Sequence, residues 1–212
     1  DDEGIRLNGG RVGAALAPDK IRTYLYKMTP SAWNPAPSAL YDRGNLLLGD
    51  NLEKRHDSLK KEIARTLTAN QRWVGLGGGH DYGYPDGAGF LSSLKNPSYK
   101  PLVINFDAHL DVRPLDYGLT SGTPFFRLLT DKDLPPFDFI EVGLQPQCNS
   151  ATHVEWLRSK GGHVLTLNEL LEKGSFVETF LERTTPFLLH PRPTFLSVDI
   201  DAFSSAFAPG CS

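Results

Sequence analysis

"PLVINFDAHLDV", Pro101–Val112, begins as a strand and ends as chemistry. Its first six residues are nearly all apolar, the pattern of a strand covered on both faces. Asp107, His109 and Asp111 then alternate with Ala108 and Leu110. Similar short apolar runs lie at 46–49 (LLLG), 72–77 (RWVGLG), 138–143 (DFIEVG), 163–167 (HVLTL) and 194–200 (TFLSVDI). Helical patterns separate them. The stretch 51–69 sets Leu52, Leu59, Ile63 and Leu67 on one stripe behind a cap at Asp50 or Asn51. The stretch 151–162 follows Asn149 and Ser150 as caps and stops at a glycine pair, and 17–28 carries Pro18 in its first turn. "NELLEKG" and "SFVETFLERT" add one or two more helices. Strands alternating with helices predict an α/β fold, a parallel sheet wrapped by helices. The proline-rich stretch 29–39 reads as a loop, too short to link two domains.

The length of 212 residues suits one medium domain, or one that has lost a piece. Both ends read as cut, since the chain opens in "DDEGIRLNGG" and stops at "APGCS". A formal net charge of -3 gives no electrostatic case for nucleic acid. No apolar run approaches ~18 residues and no secretory leader opens the chain, so no membrane partner is expected. Cys148 and Cys211 make no disulfide framework, and a reducing cytosol is the expected compartment.

In parallel sheets of this kind ligands bind outside the carboxyl ends of the strands. Three of the predicted strands end in unusual residues there: "GGGHD" (77–81), "DAHLD" (107–111) and "DID" (199–201). Strand side chains alternate with period two, so extended backbone would aim Asp107, His109 and Asp111 to one side and pair Asp199 with Asp201. His80 follows three glycines, which allow a sharp turn and a close approach to a ligand. Taken singly, "GGGH" or a strand-end Asp is better explained as a turn, and "DAHLD" reads equally well as a solvated strand end. Together they offer two imidazoles and four carboxylates, too many for one catalytic zinc, which takes three protein ligands. The oxygen-rich set suits two hard divalent ions bridged by carboxylates, Mn²⁺ before zinc. Four buried carboxylates without cations would be very costly.

"GGGHD", "NFDAHLD" and "SVDIDAFSSAFAPG" together resemble the signature of the ureohydrolase superfamily, which includes arginase, agmatinase and formimidoylglutamase. The opening "DDEGIRLNGGRVGAALAPDKIR" is similar to the formimidoylglutamase-like branch. The resemblance implies a three-layer α-β-α fold around a mostly parallel sheet, one domain over 1–212 whose C-terminal part is missing. It also implies two Mn²⁺ per subunit. His80 and Asp111 would bind the first ion, His109 and Asp201 the second, and Asp107 and Asp199 would bridge them. A water between two ions ~3.5–4 Å apart is held as hydroxide near neutral pH. That hydroxide would attack the carbon of a linear amidine, with a carboxylate, Asp111, shuttling the proton to the departing nitrogen.

Several residues depart from the arginase pattern. Gly79 stands where arginases carry Asp, Ser121 stands in place of a histidine that assists proton transfer, and Ser204 and Ser205 replace an Asp-Pro pair. These changes favour hydrolysis of N-formimidoyl-glutamate to glutamate and formamide, a step of histidine catabolism. The alternatives are a guanidino hydrolase of the agmatinase or guanidinobutyrase type that releases urea, and a metal-binding family member that acts as a regulator or subunit. Arg113, just past the metal motif, is a candidate fork for a substrate carboxylate and reads equally well as a member of an ion pair at the surface or beside the metal ligands. Ser121 and Asn149 are further candidate substrate contacts, set against a loop role and a helix-cap role. The partner is thus a small amidine or guanidine, and the family commonly forms homo-oligomers. His56, His153, His163 and His190 lack ligand spacing and read as structural or solvated. Cys148 reads as a small loop residue.

Overall fold

The computed structural model describes residues 1–29, 33, 40–46, 49–172 and 174–210. Four apolar runs become strands: β1 (Leu102–Phe106), β2 (Asp138–Leu144), β3 (His163–Thr166) and β4 (Thr194–Val198). They form one parallel sheet in the order β3-β2-β1-β4. The register sets Phe106 opposite Val142 on one side and Val198 on the other, so β1 and β4 end level while β2 runs on to Leu144. The run at 72–77 corrects the expectation. It joins no ladder, and Val74 lies 79% exposed; no strand among the described residues runs alongside it. The centre of the 46–49 run, most of 29–39 and Cys211 lie outside the described residues.

The helices are α1 (Glu3–Leu7), α2 (Ala17–Leu25), α3 (Leu52–Thr68), α4 (Gly83–Ser93), α5 (Pro124–Thr130), α6 (Ala151–Ser159), α7 (Leu167–Glu172) and α8 (Phe176–Leu188). Alternating side chains divide the sheet into two apolar faces. Val103 and Phe139 pack with Tyr84, Ala88 and Leu91 of α4, Phe125 and Leu128 of α5, and Leu157 of α6. Leu102, Ile104, Ile140, Val142 and Leu165 pack on Leu170 of α7 and on Phe176, Phe180 and Phe187 of α8. The result is a three-layer α-β-α sandwich, as the resemblance implied. Each such side chain fully withdrawn from water contributes about 1.5–3 kcal/mol.

Local signals explain the helix that bears on the site. Asn51 caps α3 by accepting from Lys54 N at 2.9 Å. The buried stripe of α3 is Leu52, His56, Leu59, Ile63 and Thr66. It meets α4 at Gly89, where any Cβ would sit 2.8 Å from the Lys60 carbonyl oxygen. That closeness fixes α4, and with it the turn carrying His80. Among the described residues no helix is long and apolar enough to cross a membrane.

Candidate metal centre

The centre is built at the carboxyl ends of β1 and β4. Asp107 is the first residue past β1, and its N–H still donates to the Val142 carbonyl at 3.0 Å. Its Oδ1 then accepts from His109 N at 2.7 Å. Asp199 repeats the device, with Oδ1 accepting from Asp201 N at 3.0 Å. Neither motif is therefore extended, which corrects the period-two argument. In both, an aspartate turns the chain by binding the amide two residues on. The turn occupies one oxygen and leaves the other, Oδ2, facing His80 Nδ1 at 3.0 Å from each aspartate. Asp111 reaches the same nitrogen at 2.9 Å by another route. Its backbone is left-handed, with φ 48°, a conformation Asp adopts more readily than most residues. Its carbonyl is pinned by Phe125 N at 3.1 Å.

Two groups of donors result. His80, Asp107, Asp111 and Asp199 form one; Asp107, His109 and Asp201 form the other; within each, the donor atoms lie within 4.8 Å of one another. Asp107 belongs to both. His109 Nδ1 lies 2.8 Å from Asp201 Oδ2. All six residues expected from the sequence are thus brought together. Imidazole nitrogen with several carboxylate oxygens is the donor set of a hard or borderline divalent cation, so these residues fit Mn²⁺.

The charges show why a cation belongs there. Burial alone would depress the His80 imidazole, but Asp107, Asp111 and Asp199 outweigh it and hold His80 well above the ordinary histidine value. Asp107 and Asp201 push His109 up to about 11. Burial and then the charge of Asp107 raise Asp111 to about 7. Burial also raises Asp201. Asp107 moves the other way: contacts with His109 and His80 overcome its burial and lower it. Without a metal, imidazole protons offset the carboxylates.

His80 is oriented from behind by Ser197, whose Oγ accepts from Nε2 at 2.9 Å, leaving Nδ1 to the carboxylates. The neighbouring Asp81 is buried and meets His56 Nε2 at 2.9 Å. Arg127 donates to His56 Nδ1 at 2.7 Å, which fixes the ring as an Nε2–H donor to Asp81. His56 is fully buried in this chain of contacts. Its position between Leu52 and Leu59 on the apolar stripe of α3 was the available signal, hidden by the charged residues around it. A Cβ at Gly79 or at Gly4 of α1 would overlap Asp81 Oδ1, so both glycines are required by this packing.

The three candidate substrate contacts separate. Arg113 is exposed and donates to Asn8 Oδ1 at 2.7 Å, and Asn8 Nδ2 donates to Ser121 Oγ at 3.1 Å. Asn8, at the end of α1, thus ties Arg113 and Ser121 into one unit. Asn149 is spent on backbone: Oδ1 accepts from Leu110 N, and Nδ2 donates to the carbonyls of Ala108 and Gln145. It braces the metal loop and keeps no amide hydrogen for a substrate. It is not the helix cap either, since Ser150 holds that position. The sequence reading also passed over Asn105, Glu141 and Ser197. Each is the polar residue of an otherwise apolar strand, and the register aligns all three in one row.

Comparison with known proteins agrees with this geometry. Formimidoylglutamase of Clostridium tetani is 34% identical over 217 residues, covering 100% of this chain and 63% of that protein. Formimidoylglutamase of a Streptococcus pyogenes strain is 36% identical, covering 100% and 64%. The chain thus spans just under two thirds of these curated relatives. The crystal structure of Trypanosoma cruzi formiminoglutamase with Mn²⁺ superposes with a TM-score of 0.84 at 32% identity, covering 99% of this chain and 70% of that one. Arginase from Bacillus subtilis, at 21% identity and a TM-score of 0.74, covering 96% and 74%, shares the fold. The arginase family model matches residues 4–212, and so the chain belongs to the arginase family.

Proposed function

We propose that this chain carries the catalytic centre of a dinuclear manganese hydrolase that splits N-formimidoyl-glutamate into glutamate and formamide. The observation that carries the proposal is the pair of donor groups joined at Asp107. One carboxylate serving two imidazole-bearing groups is what a two-ion centre needs, and a single structural ion does not. His80 and Asp111 would hold one ion and His109 and Asp201 the other, with Asp107 bridging them; Asp199, expected as a second bridge, falls in the His80 group. Bound Mn²⁺ would supply the charge that polarises the amidine and makes a water reactive near neutral pH. Similarity to formimidoylglutamases supports the substrate. We read 1–212 as one domain, because both apolar clusters flank a single sheet.

The chain's own residues supply position and proton transfer. Arg113 presents a guanidinium fork for a substrate carboxylate, held at one nitrogen by Asn8. Ser121, on the same Asn8, offers a hydroxyl beside it. Asp111 carries the proton to the departing nitrogen from a backbone pinned at Phe125. We place the reaction in histidine catabolism, in the cytosol.

The test is a panel of N-formimidoyl-glutamate, agmatine and guanidinobutyrate, each incubated with Mn²⁺-loaded protein. Formamide from the first compound alone is expected. Urea from either of the others would replace the substrate assignment while leaving the metal centre intact. No turnover of any of them would favour a regulatory or subunit role.

A further inference from the structure

The strand beside the metal centre carries a carboxyl group that the reaction as described does not use. Glu141 sits in the middle of β2 and is fully buried on the face covered by α4, α5 and α6. Its partner across the ladder is Asn105 of β1, also fully buried. Asn105 Nδ2 lies 3.1 Å from both Glu141 oxygens and 3.3 Å from Asp107 Oδ2. The amide nitrogen is thus caught among three carboxylate oxygens. Its own oxygen is buried with no hydrogen-bond partner. A flipped amide would set that oxygen against the Asp107 carboxylate, so the observed orientation is the favoured one. As core packing this is a poor arrangement, because an unpartnered amide oxygen and a buried carboxyl oppose folding. It is a good arrangement for aiming one hydrogen bond at the oxygen of Asp107 that faces His80.

We infer that Glu141 is a positioning residue for the metal centre, acting through Asn105 to fix the carboxylate of Asp107. The inference rests on reading the two donor groups as a two-ion centre. Asp107 is shared by both groups, so a rotation of this one carboxylate disturbs both ions. Partners behind metal ligands commonly change metal affinity by about 10–100-fold.

The experiment titrates Mn²⁺ into the metal-free full chain and into Glu141→Leu, Glu141→Gln, Asn105→Leu and the Glu141→Leu/Asn105→Leu pair. Mn²⁺ affinity is read by calorimetry, and magnetic coupling of the bound ions by electron paramagnetic resonance. The unchanged protein should bind two coupled ions. Glu141→Leu should weaken binding about 10–100-fold and alter the coupled signal, while the metal-free protein unfolds no more easily. Glu141→Gln keeps one oxygen for Asn105 and should recover part of the affinity. The double variant should lose no more than either single one, because the two side chains act in series. Coupled ions of unchanged affinity in Glu141→Leu, or strictly additive losses in the pair, would overturn the inference alone. An unchanged protein that binds no coupled ions would overturn the two-ion reading and the inference with it.

Discussion

Asp107 is the side chain on which both donor groups depend, so its loss is felt twice. Asp107→Ala should weaken Mn²⁺ binding by more than about 100-fold, beyond the usual effect of residues that only support a ligand. Metal analysis after gel filtration checks this, and an unchanged Mn²⁺ content would sink it. The imidazoles set the pH dependence. His80 and His109 are both raised, so their protons compete with a metal at and above neutrality. Affinity should rise with pH, and binding at pH 7 should release more than two protons, one from each imidazole and a fraction from Asp111. Calorimetry in buffers of different ionisation heat measures that number. In the metal-free protein the sign is opposite. Stability from the His109 contacts is complete below the unfolded value of 6.5 and is lost as pH rises through about 11. Away from the metal, His56→Leu leaves Asp81 buried without its partner and should cost about 3–5 kcal/mol in urea unfolding. The six metal-binding candidates were legible as residue types at strand ends. His56 was not, because its neighbours Arg55 and Asp57 suggest a solvated face while its partners, Asp81, Tyr82 and Arg127, lie far along the chain.

Elements decide whether those side chains meet. α1 lies against the His80 loop: Gly79 N donates to the Asp1 carbonyl, and Ser121 N donates to the Gly4 carbonyl at 3.0 Å. A methyl at Gly4 would overlap Asp81, so Gly4→Ala should displace α1 and cost about 1–3 kcal/mol, with weaker Mn²⁺ uptake. Thermal unfolding with a metal titration on the same variant tests both parts, and wild-type values for both would refute it. At this scale β1 and β2 were readable because strands buried on both faces leave continuous apolar runs, and β3 and β4 carry similar runs although they are less buried. The run at 72–77 has the same composition but no ladder, which composition alone cannot reveal. Nor could alternation reveal the two aspartate turns, because they begin where extended backbone stops. What composition did carry was the polar row. Asn105, Glu141 and Ser197 each interrupt an apolar strand, but only the register shows them to be neighbours.

For the whole molecule, metal and fold are thermodynamically linked. Mn²⁺ at 100 times its dissociation constant should add about 2.7 kcal/mol per site, raising the unfolding temperature by about 5–10 °C, reversibly with a chelator. An unfolding temperature indifferent to Mn²⁺ would show that the donor groups do not hold it. The parallel sheet wrapped by helices followed from strand and helix order and its three layers from the family resemblance, whereas the solvent face of β4 followed from neither. There Leu196 and Val198 lie 59% and 57% exposed on a sheet that is otherwise well covered. The centre itself is drawn from distant parts of the chain. Both donor groups take members from 107–111, and each is closed by a residue of the 199–201 turn. A ribosome delivers these segments in order, and β4 follows β1, β2 and β3. Neither group is complete until Asp199 and Asp201 have emerged and β4 has docked on β1. Metal acquisition would therefore wait for β4 to dock, and a product stalled before β4 would lack a member of each donor group.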